Sequence, residues 1–364
     1  MSVAAATDAE PEEGDELGAK HDRVRAILRQ RGADSVLLES QAAVAWMLGG
    51  ARVHVSLAAP PIVAVRVDAA SVTVFATSNE GHRLRAEELP AGVELVERAW
   101  FEAVPTDAAL RESAVDAELR AARRVLLPVE QDRYRELGAD AAAALGDVLR
   151  AAGPDDTERA IAARLASRLI ELGADPVVLL VAGESRLAER HPLPTDAALG
   201  RRAMAVVCAR RHGLIANVTR WVRFGGASAS ELDAERRILE VEADGFDALR
   251  RRAGLADVLG TITAAYPAHD FADDEWERHH QGGAAGYNGR DPRLAPGVDE
   301  PIEFGQAFAL NPSAPGVKVE DTVLLVPDAA GDAAGEAALE VLTRDPAWPT
   351  IAVRGVERPV TLER

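Results

Sequence analysis

Two strand-like runs, residues 203–208 and 214–224, are separated by Arg210-Arg211-His212-Gly213, and this arrangement leaves the chain little freedom. A polar connection this short, closing on a glycine, predicts an antiparallel hairpin. A buried strand at 176–182 precedes it, and strand-like runs follow at 304–310, 317–326 and 339–343. Helices bracket these strands. One runs from about 135 to 152, and the next spans 157–173 with Ile161, Leu165, Leu169 and Leu172 on one face. Its start is marked by Gly153-Pro154-Asp155-Asp156-Thr157-Glu158, a turn followed by an N-cap and an acidic first turn. Further helices are expected at 229–253 and 255–266. Helices around a mainly antiparallel sheet make this part an α+β domain.

The preceding residues read differently. A helix at 21–32 carries Val24, Ile27 and Leu28 at helical spacing and stops at Gly32. Strands are expected at 35–38, 61–67, 71–76, 93–96 and 124–127, with a helix around Trp46 at 41–50. Such alternation predicts an α/β domain. The expected organisation is an acidic, disordered tail at 1–20, an α/β domain at 21–135 and an α+β domain at 136–364.

Charge and cysteine content exclude several classes of partner. The formal net charge is -18 and the longest basic run is three residues, Arg250-Arg251-Arg252, which argues against a nucleic acid or an anionic membrane. No run of about 18 uncharged apolar residues suggests a membrane span. The acidic start lacks the basic and apolar parts of a signal peptide. The single cysteine, Cys208, rules out an internal disulfide or a cysteine-rich zinc site and fits a cytoplasmic protein.

Polar residues collect where apolar strands are expected. His279-His280-Gln281-Gly282-Gly283-Ala284-Ala285-Gly286-Tyr287 places two histidines before a glycine pair, and glycines allow close backbone approach to a ligand. The segment Asn311-Pro312-Ser313-Ala314-Pro315-Gly316-Val317-Lys318-Val319-Glu320-Asp321-Thr322 holds a second polar set. Before the hairpin, the prolines of His191-Pro192-Leu193-Pro194-Thr195-Asp196 restrict the backbone that presents His191.

In order and spacing, these pieces resemble the creatinase / aminopeptidase P / methionine aminopeptidase family. The resemblance covers the helix start at 153–158, the His191 loop, the hairpin ending in Asn217-Val218-Thr219-Arg220 and the 317–322 segment. It implies an α/β N-terminal domain, an α+β pita-bread C-terminal domain and a homodimer. The family's peptidases hold two divalent metals with two Asp, one His and two Glu, a set that generates a hydroxide nucleophile. Carried over, those positions fall on Cys208, Asn217, Gly283, Asn311 and Glu320. Only Glu320 keeps a carboxylate, so the expectation is no metal and no other cofactor. A rescue set of His212, His279, His280 and Glu320 is the alternative.

Creatinase implies a metal-free route in which a histidine at the position of His191 moves protons, a task that suits imidazole. The expected catalytic residues are His191, His280 and Glu320. Expected substrate contacts are Asn217, Thr219, Arg220, His279, Gln281, Tyr287, Arg290, Asn311 and Lys318. Creatinase's substrate-holding glutamates fall on Thr219 and Asn311, while the amides of Asn217, Asn311 and Gln281 and the cations Arg220, Arg290 and Lys318 predict a small amide-bearing, anionic or zwitterionic substrate, or a short peptide. The expected activity is metal-independent hydrolysis or lysis of a C–N bond. The alternatives are an inactive relative that binds a peptide or protein partner, and a metal-dependent Xaa-Pro peptidase with unusual ligands. Cys208 is expected to be a buried strand residue rather than a nucleophile.

Overall fold

The computed structural model describes residues 13–103, 107–328 and 337–364. The chain divides into two compact units, one comprising residues up to 123 with 127–129, the other comprising 124–126 and 130–364.

In the first unit, helix α1 (Glu13–Arg31) is followed by β1 (Ser35–Leu38), α2 (Gln41–Met47), β2 (Val63–Asp68) and β3 (Val72–Thr77). The short α3 (Gly81–Arg83), β4 (Glu94–Arg98), β5 (Leu110–Arg111) and α4 (Asp116–Arg124) complete it. The sheet order is β4-β3-β2-β1-β5, with mixed parallel and antiparallel pairing. Helix α1 begins earlier than the expected tail boundary at 20. A Lys20–Glu16 ion pair of 2.6 Å, buried one turn apart, stabilises those first turns. The rest of that tail, residues 1–12, lies outside the described residues. The expected strand at 124–127 is not one. Helix α4 runs into it and Pro128 opens α5, a position where proline's missing N–H costs nothing.

The second unit contains α5 (Pro128–Ala151), α6 (Glu158–Glu171), α7 (Ala229–Arg251) and α8 (Leu255–Ala268). One four-stranded sheet joins β6 (Asp175–Ala182), β7 (Arg202–Arg211) and β8 (Leu214–Arg223) to the terminal β17 (Leu362–Glu363). The other joins β9 (Gly282–Ala285), β10 (Ala307–Leu310), β13 (Asp321–Pro327) and β14 (Ala337–Val341). Two small pairs complete the unit: β11 (Ser313–Ala314) with β12 (Val317–Lys318) between β10 and β13, and β15 (Thr350–Val353) with β16 (Val356–Pro359) between β14 and β17.

The expected hairpin is β7–β8, closed by His212 and Gly213 with positive φ of 50° and 75°, as a two-residue type I′ turn requires. Thr157 caps α6 by accepting from the Ala160 N–H at 3.1 Å. Helices α7 and α8 pack their apolar faces, including Phe246, Leu249, Ile262 and Tyr266, against Phe308, Leu310 and Val323. The glycine-rich run after His280 enters a strand, β9. Gly282 and Gly283 take φ of +105° and +151°, where a side chain is strained. Among the described residues no helix is long and apolar enough to cross a membrane.

Candidate functional site

The two four-stranded sheets of the second unit meet where β8 passes the start of β13. Thr322 bridges them: its hydroxyl accepts from the Asn217 N–H at 2.8 Å and donates to the Asn217 carbonyl at 3.1 Å. The Thr219 N–H donates to the Glu320 carbonyl at 3.0 Å. This joint lines up side chains that are distant in sequence.

Glu320 is buried there and is already engaged. One carboxylate oxygen accepts from Arg290 at 2.8 Å, and the other receives Lys318 at 2.9 Å and the Thr219 hydroxyl at 2.8 Å. Burial alone would raise this carboxyl's pKa, but Lys318 and Arg290 overcome it and hold it at about 2. Two cations face one carboxylate, so the wall they form is net positive. Arg290 arrives on the segment after β9, which folds back so that Leu294 N–H donates to the Gly282 carbonyl at 2.9 Å and Ala284 N–H to the Pro292 carbonyl at 3.1 Å. The same segment brings in the exposed Arg293.

The histidines gather beside this wall. His191 sits on the loop between β6 and β7, which is tied down at Glu158 on α6. That buried carboxylate accepts from the N–H groups of Gly183 and Thr195, both at 2.8 Å, and from the Thr195 hydroxyl at 2.7 Å, and it pairs with Arg186. Arg190, next to His191, donates to the Ser313 hydroxyl at 3.0 Å and pairs with Glu275. The Nε2 atoms of His191 and His279 are then 3.3 Å apart, and His279 Nδ1 lies 3.1 Å from the Ser313 Oγ. The His280 ring is 4.5 Å from that of His279, centre to centre.

Burial first, then Lys318 and His280, push the His279 pKa down to about 2. Burial, then Arg290 and Arg293, push His280 down to about 4. His191 is lowered by burial and Lys318. Rings held neutral in this way offer lone pairs at pH 7. That is the state in which an imidazole can accept a proton.

Several expected substrate contacts face inward instead. Arg220 is on the opposite face of β8 from Asn217 and Thr219, where it donates to Asp321 at 2.9 Å and to the Thr343 carbonyl at 2.7 Å. Asp321 also receives Arg358 at 2.8 Å, and Arg358 in turn grips Glu242 through two bonds. Gln281 is a structural anchor: its amide donates to the Trp276 and His279 carbonyls and accepts from Tyr266 at 2.8 Å. The Tyr287 hydroxyl donates to Glu130 at 2.6 Å. Asn217 donates to the Ile215 carbonyl at 3.2 Å, and Asn311 is buried with no protein partner for Oδ1. Cys208, opposite Asn217 in the hairpin, has its thiol pushed up to about 12 by burial and Glu320, which leaves it unreactive. Arg190, Ser313 and Arg293 belong to the site but were not expected. Arg190 adjoins His191, Arg293 lies three residues past Arg290, and Ser313 falls in the polar 311–322 segment, the signals that could have pointed to them.

The two-metal centre implied by the resemblance does not fit. Of its positions only Glu320 carries a carboxylate, and both its oxygens are bound to cations. A Cβ at residue 283 would stand 2.3 Å from the Pro292 carbonyl oxygen, so no ligand side chain can be placed there without moving the folded-back segment. His212, of the alternative set, lies in the β7–β8 turn, apart from the three clustered histidines.

No protein-family model and no curated protein sequence matches this chain. Solved structures do. The Xaa-Pro dipeptidase from Bacillus anthracis superposes with a TM-score of 0.72 at 16% identity, covering 96% of this chain and 100% of that one. The prolidase from Pyrococcus horikoshii OT3 gives 0.71 at 16% identity, covering 89% and 98%. The N-terminal domain of the FACT complex subunit SPT16 from chickpea, Cicer arietinum, gives 0.62 at 12% identity, covering 90% and 96%. The chain therefore has the fold that the resemblance implies, an α/β N-terminal domain followed by an α+β pita-bread domain.

Proposed function

We propose that this protein, built on the fold of the Xaa-Pro dipeptidases, is a hydrolase that cleaves a C–N bond in a small amide-bearing substrate carrying a carboxylate. The observation that carries this reading is a set of three buried polar atoms without a protein partner on the stretch from His280 to Asn311: His280 Nδ1, Arg290 Nε and Asn311 Oδ1. Such atoms cost about 1–3 kcal/mol each when unmet, so a folded protein keeps them for a ligand or solvent. They are complementary in kind. Arg290 Nε is a donor that calls for a carboxylate oxygen, and Asn311 Oδ1 is an acceptor that calls for an amide or ammonium N–H.

In this reading the residues divide the work. Arg290 and Lys318 form the anion-receiving wall and would stabilise the oxyanion of an addition step. Glu320 orients those cations rather than touching substrate. The neutral imidazoles of His191, His279 and His280 are the groups available to activate water. The carboxylate-bridged metal pair has no part in this reading.

Calorimetric titration with N-acyl amino acids and dipeptides tests it, alongside chromatographic detection of the released amine. Free-acid ligands should bind at least tenfold more tightly than the same compounds with the carboxylate amidated. Equal affinity for the two sets, or binding of neither, would sink the proposal. A second reading, a module that binds a protein partner, is favoured by the likeness to a domain of a complex subunit and by Leu193, which is 70% exposed beside His191.

A further inference from the structure

We infer that His191, His279 and His280 form a site for one divalent transition-metal ion of the zinc, cobalt or nickel type, its remaining position taken by an anion. One ligand atom from each ring lies within 4.8 Å of the others. The Nε2 atoms of His191 and His279 are 3.3 Å apart. A tetrahedral ion with metal–nitrogen bonds of about 2.0–2.1 Å sets neighbouring ligand nitrogens about 3.3–3.4 Å apart, so this separation is already that of two ligands.

Packing alone accounts poorly for the cluster. Two facing ring nitrogens can share only one proton usefully. The third ring leaves Nδ1 buried with no protein partner. A shared cation satisfies lone pairs that hydrogen bonding among the rings cannot.

The surroundings are built as a ligand shell. Ser313 meets His279 Nδ1 at 3.1 Å and is itself held by Arg190, which pairs with Glu275. This holds the ring with Nε2 toward His191, the outer hydrogen bonding that metal-bound histidines use. An all-imidazole set selects zinc, cobalt or nickel over magnesium, calcium or manganese. Lys318, Arg290 and Arg293 oppose a bare cation, and Glu320 offsets one of them. The fourth ligand is therefore an anion, a hydroxide or a substrate carboxylate, able to face that positive wall. None of the positions inherited from the two-metal arrangement takes part.

The ion's role in activating water rests on the hydrolase reading; its geometry does not. The test is loading chelator-treated protein with cobalt(II), dialysing it, and measuring bound metal by mass spectrometry together with the visible d–d absorption. The native protein should hold one cobalt per chain. His191→Gln and His279→Gln should lower affinity at least tenfold, Ser313→Ala about tenfold, and His212→Gln not at all. Thermal melting establishes that each variant is folded, and His191→Gln, on an exposed loop, decides the matter if the buried variant is not. No retained cobalt in the native protein, or undiminished retention in His191→Gln, overturns the inference. Titrating the metal-free protein with free-acid amides separates the two claims, because carboxylate-selective binding without cobalt retention would refute only the metal site. Cobalt retention without carboxylate selectivity, with or without metal, would refute only the substrate reading.

Discussion

Replacing Glu320 by Gln strips Arg290 and Lys318 of the buried anion they share and tests whether that wall is what the geometry says. The carboxylate accepts from Arg290 at 2.8 Å, Lys318 at 2.9 Å and Thr219 at 2.8 Å. A glutamine must turn an NH2 toward at least one of these donors and leaves two buried cations without a counter-charge. Breaking a buried pair in this way costs about 3–5 kcal/mol. In a unit of this size that lowers the melting temperature by roughly 6–20 °C. The charge also sets a pH signature. The folded-state pKa is depressed to about 2, so the stabilisation is complete above the unfolded value of about 4.3 and is lost as pH falls from there toward 2. Glutamine does not titrate, so the variant lacks this component of acid destabilisation. Differential scanning calorimetry of both proteins from pH 2 to 7 reads the two effects, and added phosphate should restore part of the loss by occupying the wall, up to about 2.7 kcal/mol at a hundredfold excess over its Kd. A melting temperature within about 2 °C of native would refute the reasoning. So would an equal loss when Glu320→Gln is made in a Lys318→Met background, because the cost is assigned to the unpaired cations.

Gly283→Ala should destabilise by roughly 2–5 kcal/mol, because its Cβ would meet the Pro292 carbonyl at 2.3 Å with φ at +151°. Gly289→Ala, with nothing within 4 Å of the added carbon, should stay within about 0.5 kcal/mol; urea titration compares the two. Arg220→Met should cost about 1–3 kcal/mol in the same assay, because Asp321 loses one of its two arginines and keeps Arg358, while leaving ligand affinity per folded molecule unchanged, since the side chain lies on the opposite face of β8 from Thr219. Cys208 should resist iodoacetamide at pH 8 in the native protein and react on unfolding, which mass spectrometry of the alkylated chain would follow, because its thiol is held at about 12.

Local chemistry made most of the backbone legible. Thr157 as a cap, the His212-Gly213 turn and the apolar strand runs act over a few residues, and each formed close to its expected place. Where a local signal failed, a neighbour overrode it: the apolar run at 124–127 reads as a strand, but it is pinned between the end of α4 and the proline that starts α5. The period of two in β8 should have excluded Arg220 from the cleft, since it cannot share a face with both Asn217 and Thr219. Gln281 and Tyr287 are polar residues that look available in sequence. Only the partners Tyr266, Trp276 and Glu130, 15, 5 and 157 residues away, show them to be occupied.

By itself the sequence determined the order of elements, the fold they imply and the loss of carboxylates that a two-metal centre would need, because those follow from residue type and periodicity. It also named every histidine of the cluster. Only the tertiary structure decided which of them meet. His191 and His279 are 88 residues apart in the chain, and their convergence depends on Glu158 holding one loop while Arg190 and Ser313 hold the other. The charge state of the site was equally a matter of packing. Burial beside Lys318, Arg290 and Arg293 turns three ordinary imidazoles into neutral ones and holds Glu320 ionised, and no property of those residues in isolation predicts it.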